Sequence, residues 1–176
     1  EFTLVDVESG RPVTVQASAR KPHWSVVNHA WDATAMMKTE RFTVHIDAAN
    51  LPALGYATFR VDRAKMFDRG SLVTAANTME NEHLRVAVRS DGLLDILHKA
   101  TGVVHSGLHN FEDSSEVGDP WTHRQVRKEQ KVYGAGFPVE VRRVMDGPLA
   151  TACEVTYRMR LPEGADPVGV GRSHHE

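Results

Sequence analysis

Thr78-Met79-Glu80-Asn81-Glu82-His83-Leu84-Arg85-Val86-Ala87-Val88-Arg89 leads into Ser90-Asp91-Gly92, an apolar run to Leu97 and a second turn at Ala100-Thr101-Gly102. In an extended chain Leu84, Val86 and Val88 share one side, and Arg85, Ala87 and Arg89 the other. That is the period-two pattern of a half-buried strand. Asp91-Gly92 supplies the positive φ that a tight hairpin turn requires. The stretch therefore predicts strand, tight turn and returning strand. It ends in an acidic loop, Phe111-Glu112-Asp113-Ser114-Ser115-Glu116-Val117-Gly118-Asp119-Pro120-Trp121. This loop gathers Glu112, Asp113, Glu116 and Asp119 and closes on a large aromatic, which a strand connection does not require.

Downstream, Val139 to Met145 reads as a strand and Asp146-Gly147-Pro148 as its turn. Leu149, Thr151, Cys153, Val155, Tyr157, Met159 and Leu161 then share one face, until Pro162-Glu163-Gly164 ends the pattern. Cys153 lies on the face of Leu149 and Val155, so it reads as a buried, inert thiol. Val103-Val104-His105 reads as strand and Ser106-Gly107 as a turn.

Upstream, residues 2–7 and 12–16 read as a hairpin turning at Ser9-Gly10. Between Ala17 and Thr39 the pattern is less regular. Pro22 argues against a regular element there, and Ala30 to Met37 fits a short helix with Asn28 as its cap. Trp24, Trp31, Met36 and Met37 read as a patch packed under a sheet, with a sugar-stacking platform as the alternative. Phe42, Val44, Ile46 and Ala48 alternate as a half-buried strand, and Tyr56 to Asp62 forms the next one. Ala64 to Asn77 shifts in composition around Asp68-Arg69-Gly70-Ser71, which places a domain boundary at residue 70. Everything long and periodic has period two, so the expected fold class is all-β. A small Ig-like sandwich occupies residues 1–70 and a larger antiparallel system residues 71–176.

Composition excludes several classes. The 176 residues are 25% charged and 41% hydrophobic, with a formal charge of −2, so no nucleic acid or anionic membrane is expected as a partner. No apolar run approaches the ~18 residues of a membrane span. A single cysteine excludes an internal disulfide framework and fits a reducing compartment, so a cytoplasmic protein is expected. The chain starts inside a predicted strand without an initiator methionine and stops without a closing element. A fragment of a longer protein, its first sandwich strand missing, is the expectation.

Several motifs in order carry a resemblance. Glu80-Asn81-Glu82-His83-Leu84-Arg85-Val86, Asp91-Gly92-Leu93 and Lys99-Ala100-Thr101-Gly102 resemble the opening of the C-terminal β-domain of glycoside hydrolase family 38, the α-mannosidases. Phe111-Glu112-Asp113 and Gly118-Asp119-Pro120-Trp121 fall where that family has an F-E-D … G-D-x-aromatic segment. Leu51-Pro52-Ala53-Leu54-Gly55-Tyr56-Ala57-Thr58-Phe59 is similar to its P-x-L-G-Y-x-T-Y strand. The resemblance implies that residues 71–176 begin a galactose-mutarotase-like β-supersandwich. It also implies a retaining enzyme acting on α-mannosides, with zinc and a carboxylate nucleophile in a barrel that lies outside this chain. The catalytic barrel of the same chain would be the fragment's partner. No catalytic residue and no metal ligand transfers to these residues, and the fragment alone is expected to be inactive.

A carboxylate can accept hydrogen bonds from vicinal hydroxyls, and an aromatic can cover the apolar face of a pyranose. Asp119 and Trp121 offer that pair, and the resemblance places the aromatic beside the bound sugar. The family's common acidic-Tyr ending is Pro120-Trp121 here, which keeps stacking and loses a phenolic hydroxyl. His123 and Arg124 follow as candidate hydroxyl contacts, or belong with Arg127, Lys128 and Lys131 to a set of surface ion pairs. The candidate substrate-binding residues are Trp121, Asp119 and His123. His105 and His109 are four apart, a metal-ligand spacing only on a helix, and the acidic loop lacks the alternation of an EF-hand. The alternative functions are a stand-alone carbohydrate-binding or mutarotase-like module, and a structural interaction domain.

Overall fold

The computed structural model describes residues 1–28, 34–64, 67, 69–173. The chain is all-β: fourteen strands in five antiparallel sheets among the described residues, with one 3-10 turn at Gly134–Gly136. It divides into two compact units. One is Glu1–Leu72 with Met145–Ala152, the other Val73–Val144 with Cys153–Glu176. No described helix is long and apolar enough to cross a membrane.

In the first unit, β1 (Phe2–Asp6) lies between β2 (Pro12–Val13) and β5 (Phe59–Arg63) in a three-stranded sheet. Leu4 pairs with Val13 on one side and with Val61 on the other. The connection from β1 to β2 is held by Asp6, whose Oδ1 accepts the Ser9 N–H at 2.6 Å and the Ser9 hydroxyl at 2.8 Å. The unit's other sheet is a long ribbon of β3 (Val15–Asn28) and β4 (Thr34–Ile46). Its root is packed. Val15 is buried, and Phe2 stands edge-on to both Phe42 and Phe67 in a cluster with centroids 5.1–5.9 Å apart.

The ribbon overturns three expectations. Thr34 to Met37 are strand, not helix; Ala30 to Ala33, the rest of that expected helix, lie outside the described residues. Pro22 sits inside β3 opposite Glu40. Both strands of a two-stranded ribbon are edges, where proline can direct its missing donor away from the partner. Trp24, Met36 and Met37 are exposed, because among the described residues no further strand pairs with this ribbon and none offers the patch a sheet to pack under. Trp31 lies outside the described residues. A fourth difference follows: β5 starts at Phe59, not Tyr56. Residues 51–58 form an exposed loop, turning where Gly55 N–H meets Pro52 O at 3.2 Å.

The second unit is built on a five-stranded meander. It comprises β6 (Val73–Ala75), β7 (Thr78–Glu80), β8 (Leu84–Val88), β9 (Leu94–His98) and β10 (Val103–Leu108), in spatial order β10-β9-β8-β7-β6. The opening stretch thus forms the predicted hairpin, with Leu84 opposite His98 and Val88 opposite Leu94. Its loop is Ser90-Asp91-Gly92. Gly92 N–H returns to Arg89 O at 3.0 Å, Arg89 N–H meets Leu93 O at 2.8 Å, and Gly92 takes φ +80°. That is a type I turn closed by a left-handed residue. Val88 and Leu93 are buried on it. Ser106-Gly107 is a bulge inside β10, not a turn, for the register shifts between His105 and Leu108. The Asp95 carboxylate accepts the freed Gly107 N–H at 3.0 Å, so the strand continues past the irregularity.

β11 (Glu112–Asp113) pairs with β12 (Val132–Tyr133), and β13 (Val139–Met145) with β14 (Ala152–Tyr157). On β14, Cys153, Val155 and Tyr157 alternate with exposed Glu154 and Thr156. Cys153 is half-buried, not buried. The strand ends at Tyr157, four residues before the apolar alternation does.

Candidate functional site

The candidate site is the acidic loop, from Phe111 to Arg124, and everything around it serves to hold its shape. β11 and β12 close its base. Glu112 is bound to the Lys131 ammonium at 2.6 Å. That hydrogen bond holds the Glu112 carboxyl below its ordinary value. Asp113 is paired with Arg172, whose guanidinium also donates to Asp113 O and Gln130 O at 3.1 Å each. Arg172 is almost wholly buried, so this clamp is shielded from solvent and salt. Buried Ser115 hydrogen-bonds the Glu129 carboxylate and accepts the Val126 N–H at 3.0 Å.

Glu116 organises the middle of the loop. Its Oε1 accepts the N–H groups of Gly118, at 2.5 Å, and Arg124, at 3.0 Å. Its Oε2 meets His123 Nδ1. The Arg124 N–H, then that of Gly118, and more weakly His123 depress the Glu116 carboxyl below its ordinary value. The tip is a tight turn, Asp119-Pro120-Trp121-Thr122, with Thr122 N–H returning to Asp119 O at 3.3 Å. Aspartate first and proline second are the residues such a turn favours. Asp119 Oδ1 also accepts the N–H groups of Trp121 and Thr122, at 3.0 and 2.9 Å.

The three predicted site residues therefore share one loop and differ in availability. Trp121 is 90% exposed at the tip. One oxygen of Asp119 is committed to the turn. His123 is committed to Glu116. A cleft of about 300 Å³ lies beside the tip, lined by Val117, Gly118, Asp119, Thr122 and Arg124. Asp119 lines it; Trp121 and His123 do not. Thr122 and Arg124 are its other polar lining residues. Thr122 carried no signal in the sequence. A larger cavity, of about 400 Å³, adjoins the Arg172 clamp and is lined by none of the three.

Among the described residues no three His, Cys, Asp or Glu side chains converge as metal ligands. His123 and Glu116 form a histidine–carboxylate pair. It lies in a loop, and the carboxylate is spent on two backbone N–H groups as well as the imidazole.

No family model matches the chain. Over 90 residues, 51% of the chain, it is 24% identical to a protein of Halalkalibacterium halodurans named "Putative mannosylglycerate hydrolase", covering 10% of that protein. An α-mannosidase structure from Enterococcus faecalis V583 superposes on 95% of the chain with a TM-score of 0.77 at 20% identity. A glycosyl hydrolase family 38 protein of Enterococcus faecalis superposes on 96% with a TM-score of 0.69 at 19% identity. The chain spans 19% and 20% of the length of those two structures. The fold of this chain is that of about one fifth of a family 38 α-mannosidase, the family its motifs resemble.

Proposed function

We propose that this chain is the non-catalytic β-region of a glycoside hydrolase of the retaining α-mannosidase type. Its acidic loop serves as one wall of the sugar cleft. The observation that carries this is a fully exposed indole on a turn whose backbone is tied down on both sides. A stacking platform must present its face without collapsing onto the protein, and the Asp119 turn and Glu116 bridge provide that rigidity. The free oxygen of Asp119, with Thr122 and Arg124, then meets sugar hydroxyls. His123 acts through Glu116 by holding the loop closed.

The nucleophile, the acid and the zinc of such an enzyme lie outside these residues in this reading. The first unit offers a contact for that missing body. Leu51, Leu54 and Tyr56 stand exposed on one short loop, and Leu54 takes φ +57°. A bulky residue held there is strained, and strain persists where the surroundings use it.

The test is kinetics on the complete enzyme. Trp121→Ala is expected to lower kcat/KM for α-mannosides by roughly 2- to 10-fold, in line with ~0.5–1.5 kcal/mol for one aromatic contact. Unchanged kcat/KM would remove the loop from the cleft. The stand-alone carbohydrate-binding reading draws on the same exposed indole. Chemical-shift perturbation by mannose on the isolated chain separates the two, because binding lost in Trp121→Ala favours the module and no binding favours the wall.

A further inference from the structure

The β3–β4 ribbon is the largest feature that the proposed function leaves unused. Beyond its packed root it carries Trp24, Val26 and Met36, which are 59%, 62% and 66% exposed. The register pairs Val26 with Met36 and Trp24 with Lys38. Directly paired residues share a face, so the three apolar side chains form one patch on one side of the ribbon. A two-stranded ribbon is marginal in water by itself, and a contiguous apolar patch on it marks an interface.

We propose that this ribbon is a self-association arm whose Trp24–Val26–Met36 face packs against a second copy of the chain. Charge is the first argument for that occupant. Arg20, Lys21, Lys38 and Arg41 against Glu40 give the two arm strands a formal charge of +3. Asp32, in the connection between those strands, brings the arm to +2, so with a whole-chain charge of −2 the rest of the chain carries −4. An arm laid on another copy meets opposite charge, which favours encounter and orientation.

Size is the second argument. The nine residue pairs from Arg20–Phe42 to Asn28–Thr34, at about 3.4 Å each, make a face about 31 Å long and about 10 Å wide. One arm on an unlike partner covers roughly 300 Å² on each side, about 600 Å² in all, which is too little for a specific interface. Two copies exchanging arms about a two-fold axis cover twice that, roughly 1,200 Å², which reaches the specific range.

Sedimentation velocity on the protein, beside Trp24→Lys and Met36→Lys, tests this. Circular dichroism melts confirm that each variant folds; both side chains are exposed, so neither substitution touches the core. The expected result is a dimer in the unaltered protein and dimerisation weakened about tenfold or more in each variant, as for loss of a central interface residue. A monomeric unaltered protein overturns the proposal, as does a dimer that both folded variants leave intact.

Discussion

Gly118 shows how little freedom the loop has at single positions. A Cβ placed there would lie 1.8 Å from Thr122 O, inside any van der Waals contact, and the neighbour is backbone that cannot swing aside. Gly118→Ala is expected to open the Asp119–Thr122 turn and release Trp121, at a cost on the order of 1–3 kcal/mol to the loop. Trp121 emission anisotropy reads the change directly; an unaltered anisotropy would show that the turn has slack. Glu116 adds a pH dependence. Its carboxyl is depressed, so its contribution is present at neutral pH and lost as pH falls through that depressed value, below the ordinary glutamate range. An acid transition in Trp121 emission that is missing in Glu116→Gln is the expected result. The same transition in both proteins would place its origin elsewhere. At this scale the sequence placed Asp119 and Trp121 side by side in the acidic loop, but the turn that Asp119 caps was not read from it, although aspartate before proline is local turn chemistry. The Glu116–Arg124 and Glu116–His123 bridges were not, since they exist only once the loop has closed on itself.

At the scale of elements, the hairpin at Asp91-Gly92 was read correctly, the one at Ser9-Gly10 only as far as Val13, since Val15 and Gln16 belong to β3, and the β3–β4 ribbon was not. Local propensity at Ala30–Met37 and the proline at 22 argued for something shorter. At Pro22 and over Thr34–Met37, pairing along the ribbon outweighed both. Gln16 is the element-scale feature with no sequence signature. It is buried, its Nε2 donates to Ala150 O at 2.7 Å, and its Oε1 accepts Leu149 N–H at 2.9 Å and Ala150 N–H at 2.8 Å. One side chain thus satisfies three backbone groups from the far end of the sequence and holds Met145–Ala152 within the first unit. Gln16→Leu keeps much of the volume and removes every bond. It is expected to cost about 2–4 kcal/mol, since buried backbone groups are left unpaired. Urea denaturation checks this, and a loss below about 0.5 kcal/mol would mean that water replaces the amide without penalty.

For the whole molecule, the proposed function carries the expectation that the chain shows no glycosidase turnover by itself, since in that reading the nucleophile, the acid and the zinc lie outside these residues. Hydrolysis of an aryl α-mannoside by the pure chain, abolished by Asp119→Asn, would contradict that expectation and move catalysis into the loop. The two exposed apolar features, the loop from Leu51 to Tyr56 and the face of the β3–β4 ribbon, give this scale its remaining content. Each is apolar surface that the described residues leave in water.

What the sequence determined by itself is the period-two alternation, the hairpin at Asp91-Gly92, the all-β class and the position of the acidic loop. These follow from interactions within a few residues of one another, where side-chain alternation and turn chemistry act directly on the backbone. Only the tertiary structure decided that Asp119 is half committed to its own turn, that His123 is held by Glu116, that Arg172 clamps Asp113, and that Trp24, Val26 and Met36 face solvent. Those outcomes depend on which distant groups meet and which faces remain uncovered. Alternation can say that a residue has a buried or exposed partner face, but not whether the chain supplies anything to lie against it.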